Sequence, residues 1–183
     1  RKQCGRNPGF FVTWPGTKRN AERRNMATDN TNPLQDFITI RWTVDEGIGL
    51  LMINQPPSNT MTLRFFAEFG RWTDLVSHDT GLKAVIIHGN GRHFSSGADL
   101  NELLVNIDER LMVDNYSNFL KLERMGIPVI SAIRGVCLGS AFEMALFSHF
   151  RICSGDAVLG LPETTFNLMP GIGGIQRFAA LAG

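Results

Sequence analysis

The chain has 183 residues, 43% of them hydrophobic and 19% charged, which is enough to bury the core of one domain. A formal net charge of +1 excludes the strongly basic or acidic composition of proteins that bind nucleic acid or membrane surfaces. The three cysteines are scattered, which excludes a disulfide framework, and none has zinc-ligand spacing. We therefore expect no metal site, no nucleic-acid partner, no membrane partner and a cytoplasmic location.

The first 25 residues differ in composition from the rest of the chain. They hold seven lysines and arginines against one acidic residue, Glu22, and show no lasting periodicity. Because Met26-Ala27-Thr28 follows and resembles a translation start, we interpret 1–25 as a disordered leader or tag and 26–183 as the domain. The alternative is a basic transit peptide, which would place the protein in the mitochondrial matrix.

Hydrophobic periodicity predicts alternating strands and helices along the domain. Residues 37–44 alternate apolar and polar, and a turn at 45–47 joins them to a second strand at 48–53, so the pair predicts a hairpin. Apolar residues at helical spacing predict an amphipathic helix over 61–76. Short β-branched runs at 84–87 and 129–133 indicate buried strands. Further helices are predicted at 98–105, 108–125, 140–147 and from 174, and a strand at 150–153, so the fold class is α/β.

Two glycine-containing segments follow the two buried strands and lead into helices. The first spans 91–100 and the second 135–143, and ligands in open α/β sheets bind beyond the carboxyl ends of strands. Helices that begin at Ala98 and Ser140 leave the N–H groups of these residues without intrahelical acceptors. Two such donors directed at one oxygen form an oxyanion hole. The alternative is structural: Ser96 or Asp99 caps a helix, and small residues at 139–141 permit close packing.

Two glutamates, Glu143 and Glu163, lie in apolar sequence near these segments. Burying an ionised carboxylate in such surroundings costs free energy unless the charge is paired or has a functional role. Two carboxyl groups that face one pocket can act as general acid and general base in one reaction. The alternative is that each begins a helix, where a negative charge suits the helix dipole.

Three segments together resemble the crotonase family of enoyl-CoA hydratases and isomerases. They are Gly97-Ala98-Asp99-Leu100, the stretch 135–146, and Leu161-Pro162-Glu163 with 170–177, and their order and spacing match the family from about residue 37. The resemblance implies a crotonase-like ββα spiral core that binds an acyl-CoA thioester, with no cofactor because coenzyme A is part of the substrate. It also implies a homotrimer or hexamer, and C-terminal helices in the family that continue beyond residue 183 and are absent here.

The resemblance also implies roles for individual residues. The N–H groups of Ala98 and Ser140 would bind the thioester oxygen, Glu143 would activate water, and Glu163 would protonate the substrate. Substrate and coenzyme A contacts are expected at Ser58, Arg92, Ser96, Gly97, Asp99 and Gly139. Other branches of the family usually replace one glutamate, so the presence of both favours an enoyl-CoA hydratase, a lyase. An isomerase, an acyl-CoA hydrolase and a non-catalytic acyl-CoA-binding or assembly module remain as alternatives.

Overall fold

A computed structural model describes residues 12–14, 34, 36–106 and 108–183. The strands are β1 (Val12–Trp14), β2 (Ile40–Asp45), β3 (Ile48–Ile53), β4 (Ala84–Gly89), β5 (Val129–Ile133), β6 (Val136–Leu138), β7 (Phe150–Ser154) and β8 (Val158–Gly160). The helices are α1 (Leu63–Val76), α2 (Leu100–Asn106), α3 (Glu109–Arg124), α4 (Ser140–Leu146), α5 (Gly174–Ala182) and a 3₁₀ helix at Glu163–Phe166. The interpretation of 1–25 falls outside the described residues, apart from β1.

Six strands form the main sheet, in the order β1-β7-β5-β4-β3-β2. The β2–β3 hairpin is antiparallel, as predicted, and every other neighbouring pair in this sheet is parallel. The hairpin turn takes Glu46 and Gly47 through positive φ angles, a region that glycine enters without steric cost. The mixture of parallel strands and intervening helices confirms the α/β class.

Helix α1 packs its apolar face on the sheet and against α3. The Thr62 side chain caps its first turn by accepting a hydrogen bond from the Phe65 N–H. Phe65, Phe69 and Trp72 of α1 are fully buried, and Phe69 meets Phe119 of α3 edge to face. This core holds α3 beside the loops that follow β4 and β5. Among the described helices, none combines the length and apolar character that a membrane crossing requires.

Two local predictions were wrong, the first for a tertiary reason and the second because of a local helix cap. Residues 135–139 were predicted as a turn, yet β6 lies there and pairs with β8, a strand that the periodicity did not indicate. A three-residue strand is too short for a periodic signal, and its partner lies over 20 residues away in sequence. The helix predicted from Ala98 begins at Leu100, because the Asp99 carboxylate caps it by accepting from the Asn101 and Glu102 N–H groups.

Candidate active site

A cavity of about 310 Å3 lies where the loop after β4, the start of α4, the 162–172 segment and α3 meet. Its wall is mostly apolar, and polar groups are confined to a few positions. The apolar residues are Phe66, Ala98, Leu100, Leu103, Met112, Leu138, Pro162, Phe166, Leu168, Met169 and Ile172. Such a concave apolar space with few polar groups is typical of small-molecule sites.

Close backbone contact brings the two predicted donor segments together. Gly97 has φ +95°, and a Cβ there would lie 2.6 Å from the Leu138 carbonyl oxygen and 3.5 Å from the Ser140 nitrogen. Only glycine permits this approach. The flanking bonds hold the first segment: Met61 N–H donates to Gly97 O at 2.8 Å, and Asp99 N–H donates to Met61 O at 2.9 Å.

Within the described part of the chain, neither the Ala98 nor the Ser140 N–H donates to a protein acceptor. Ser140 is the first residue of α4, and its N-cap, Gly139, supplies no side-chain cap. Both residues line the cavity. The structure therefore brings together the two unused donors that the sequence predicts, although Ala98 precedes its helix instead of starting it.

Glu143 lies in the first turn of α4 and is 1% exposed. Its Oε1 accepts hydrogen bonds from the Ile172 N–H at 2.9 Å and the Gly174 N–H at 3.0 Å, and Oε2 has no bond to a described residue. A Cβ at residue 174 would lie 2.7 Å from the Glu143 Cγ, so this approach requires glycine. The carboxyl group is thus fixed through one oxygen, and the other is left for a ligand or water.

Glu163 begins the 3₁₀ helix and lines the same cavity. Its Oε2 is buried and accepts no hydrogen bond from a described residue. A buried oxygen without a hydrogen bond costs free energy unless a ligand or water donates one to it. Its Oε1 lies 3.2 Å from the position that a Cβ of Gly139 would occupy. Gly139, with φ +54°, therefore lets Glu163 approach the start of α4.

Burial controls the protonation of both carboxyl groups. Burial raises the pKa of Glu143 from 4.5 to about 7, against hydrogen bonds from Gly174 and Ile172 that lower it, and the charge of Glu163 adds to the rise. Burial also raises the pKa of Glu163. A carboxyl group with a pKa near neutral pH, as Glu143 has, can both accept and donate protons under ordinary conditions.

The predicted coenzyme A residues divide into two sets. Ser96, Gly97 and Gly139 line the cavity, whereas Ser58, Arg92 and Asp99 do not. The Ser58 carbonyl accepts from the Ser96 N–H at 2.9 Å, so Ser58 lies behind the cavity edge. Arg92 is exposed, and the Asp99 carboxylate is used as the α2 cap. Contacts of all six residues with a ligand stay predictions.

Sequence reasoning missed the contribution of α3 to the cavity. Met112 and Asn115 line it, and Asn115 is 4% exposed. Asn115, Phe119 and Leu122 are the buried residues of α3, at helical spacing, so a polar residue within an apolar stripe was the available signal. Over the described ranges, no group of three or more histidine, cysteine or acidic side chains is placed to hold a metal ion.

Comparison with known proteins identifies the family. Residues 43–183 match the model of the enoyl-CoA hydratase/isomerase family. A probable enoyl-CoA hydratase of Bacillus subtilis is 37% identical over 148 residues, which are 79% of this chain and 57% of that protein. The fatty acid oxidation complex subunit alpha of Shewanella loihica is 38% identical over 151 residues, 76% of this chain and 21% of that protein.

Solved structures resemble the chain over the same range. The enoyl-CoA hydratase of Bacillus anthracis superposes with a TM-score of 0.72 at 29% identity, over 79% of this chain and 58% of that one. A putative enoyl-CoA hydratase of Thermobifida fusca, in complex with acetoacetyl-CoA, superposes with a TM-score of 0.70 at 28% identity. The match covers 79% of this chain and 62% of that one. The chain thus spans 57–62% of the length of these hydratases and 21% of the fatty acid oxidation complex subunit. Since the family model matches most of its residues, the chain belongs to the enoyl-CoA hydratase/isomerase, or crotonase, family.

Proposed function

We propose that the protein hydrates 2-enoyl-CoA thioesters to 3-hydroxyacyl-CoA. The single observation that carries the proposal is that two carboxyl groups and two unused backbone donors border one apolar cavity. The donors suit the thioester oxygen, the carboxyl groups suit a water molecule, and the apolar wall suits an acyl chain. The complex of a structural neighbour with acetoacetyl-CoA supports a thioester in this cavity.

The backbone donors would act on the carbonyl of the thioester. Hydrogen bonds from the Ala98 and Ser140 N–H groups polarise the C=O bond, which makes C3 of the conjugated system electrophilic. When water adds at C3, negative charge moves to the thioester oxygen, and the same two donors stabilise the enolate. A donor of this kind contributes roughly 10²–10³ in rate.

The two carboxyl groups would divide the proton transfers. Glu143, whose ionised form is stabilised by two N–H groups, removes a proton from water as the oxygen bonds to C3. Protonated Glu163, whose Oε2 has no described partner, gives its proton to C2 of the enolate. Water thus ends as OH on C3 and, through the pair, H on C2. Return of the proton from Glu143 to Glu163 completes the cycle, and the pair titrates jointly.

Substitution of each carboxyl group tests the mechanism. Glu143→Gln and Glu163→Gln are each expected to lower the kcat for crotonyl-CoA hydration by roughly 10²–10⁴, the range for positioned acid–base catalysis. Binding of a saturated acyl-CoA should persist in both. Glu109→Gln, an exposed change at the start of α3, is the matched control and should leave kcat unchanged.

Other outcomes distinguish the alternatives. Near wild-type rates in both glutamine variants would overturn the mechanism. Conversion of a 3-enoyl-CoA to the 2-enoyl isomer without hydration would identify an isomerase, and release of free coenzyme A would identify a hydrolase. Tight acyl-CoA binding with no turnover of short, long or cyclic substrates would identify a binding module.

A further inference from the structure

Asn115 presents an unused carboxamide to the candidate active site. The residue is 4% exposed and lines both the cavity that Glu143 and Glu163 share and a neighbouring cavity bordered by Arg110 and Asp114. Its side chain makes no hydrogen bond or ion pair with a described residue. Its helical neighbours Phe119 and Leu122 on the buried face of α3 are wholly apolar. A largely buried amide without a protein partner takes its hydrogen bonds from water or a ligand in the cavity.

The part of α3 around Asn115 faces the turn that holds Glu143. One turn before it, the Met112 Cε lies 2.2 Å from the position that a Cβ at Gly171 would occupy. One residue after it, the Tyr116 ring lies 3.0 Å from the corresponding position at Gly173. Ile172, between these glycines, donates its N–H to Glu143. Asn115 therefore lies in the part of the cavity wall that α3 contributes, near the turn that holds Glu143.

The chemistry of the cavity limits what the carboxamide can recognise. A primary amide offers two N–H donors and one oxygen acceptor, so it pairs with a hydroxyl or a ketone. Among the described residues that line the cavity there is no lysine, arginine or histidine, whereas two carboxyl groups are present. An acyl chain that carries its own carboxylate would therefore meet repulsion without a compensating cation. A neutral oxygen substituent fits both the donors and the charge.

We propose that Asn115 is a specificity-determining residue that selects acyl-CoA substrates bearing a neutral hydroxyl or ketone oxygen on the acyl chain beyond C3. This inference rests on the proposed function, since it names the substrate class of that same site. The amide hydrogen-bonds the substituent, and the surrounding apolar wall contacts the rest of the chain. An unsubstituted chain leaves the amide without a hydrogen-bond partner in the complex. The lost hydrogen bond lowers the affinity for the unsubstituted substrate relative to the substituted one.

Matched substrate pairs test the proposal. Saturated and 2-unsaturated acyl-CoAs of equal length, with a hydroxyl placed at successive carbons from C4 or with none, are compared by calorimetric Kd and by kcat/KM. At one hydroxyl position the wild-type protein should favour the substituted member about ten-fold, the effect of one net hydrogen bond. Asn115→Leu, which is nearly isosteric, should abolish or reverse the preference. Asn118→Leu, the same change on α3 outside the cavity, should retain it.

The two measurements separate failure of this inference from failure of the proposed function. Equal Kd and kcat/KM for both members at every position would overturn the role of Asn115 and show that water alone satisfies the amide. Preference retained in Asn115→Leu would also overturn it. If no enoyl-CoA is hydrated, the proposed function fails. The Kd ratios of the saturated pairs still decide whether Asn115 binds the hydroxyl substituent.

Discussion

Ser140 contributes a backbone N–H to the candidate oxyanion hole, so the side chain and the donor can be tested separately. Proline is well tolerated at the first residue of a helix, and the Ser140 N–H has no acceptor in the described structure. Ser140→Pro should therefore fold but lower kcat by roughly 10²–10³, whereas Ser140→Ala should be mild. Hydration kinetics with thermal unfolding of both variants provide the measurement. Equal activity of the two would contradict the donor role.

The raised pKa of Glu143 has a consequence for activity. In the proposed mechanism Glu143 removes a proton from water and must therefore be ionised, and burial raises its pKa to about 7. We expect kcat/KM for crotonyl-CoA to increase as pH rises through about 7 and then to level off. A pH–rate profile measures this directly. A profile that is flat over about pH 6 to 8 would exclude the assignment.

Helix α5 carries one of the N–H groups that hold Glu143, and Arg177 anchors this helix. The Arg177 Nε donates to Glu123 Oε2 of α3 at 3.0 Å, and its guanidinium lies 3.4 Å from the centroid of the Phe147 ring. Only 18% of the Arg177 side chain is exposed, so this pair and stack are partly shielded from solvent. Gly174, the first residue of α5, donates to Glu143, and Arg177 therefore acts as a positioning residue.

Loss of this anchor should be visible in the pH profile. In Arg177→Met the start of α5 can move away from Glu143, and loss of a hydrogen bond that lowers its pKa raises that pKa. The acidic limb of kcat/KM should shift to higher pH, with partial rescue in Arg177→Lys. Arg110→Met, which removes an exposed pair with Asp114 at 3.9 Å, is the matched control. A lower Tm with an unshifted limb would show that Arg177 stabilises the fold without positioning the base.

Two buried glutamates give the whole molecule opposite dependences of stability on pH. Glu68 joins α1 to the start of the hairpin: its Oε2 accepts from the Thr39 N–H at 2.8 Å, and its Oε1 accepts from the Arg64 Nε at 2.7 Å. Burial raises the pKa of Glu68, but the hydrogen bonds from Thr39, Arg64 and Ile38 lower it by more than burial raises it. The net pKa is therefore below the ordinary value of 4.5. Its stabilisation is present above pH 4.5 and is lost as pH falls through the lowered pKa.

Glu143 behaves in the reverse sense. Its pKa is raised from 4.5 to about 7, so its contribution is present below pH 4.5 and is lost as pH rises through about 7. We expect the free energy of unfolding to be greatest near pH 4.5, below which Glu68 loses its stabilisation and above which Glu143 begins to lose its own. Glu143→Gln should remove the part of the alkaline decline that Glu143 causes, on the order of 3 kcal/mol, and Glu68→Gln should remove the acidic decline. Urea unfolding over this pH range is the measurement, and parallel curves for wild type and both variants would contradict it.

Local sequence patterns predicted much of the fold and several of the residues that line the candidate site. Alternation and helical spacing depend on neighbours within a few positions, so the hairpin, α1 and the buried strands β4 and β5 were predictable. The unused donors at Ala98 and Ser140 and the glutamates at 143 and 163 also follow from glycine turns and apolar surroundings. These residues line one cavity in the structure.

Tertiary structure alone decided what completes these groups. The Ile172 and Gly174 N–H groups that hold Glu143 lie 29 and 31 residues away in sequence, and β6 and β8 exist only because they pair with each other. Asn115 faces the cavity because core packing on Phe119 and Leu122 orients α3. Hydrogen bonds and packing between distant segments do not change the local hydrophobic pattern. Each partner therefore has the sequence features of an ordinary glycine, loop or helix residue, and its contact is defined only when the chain folds.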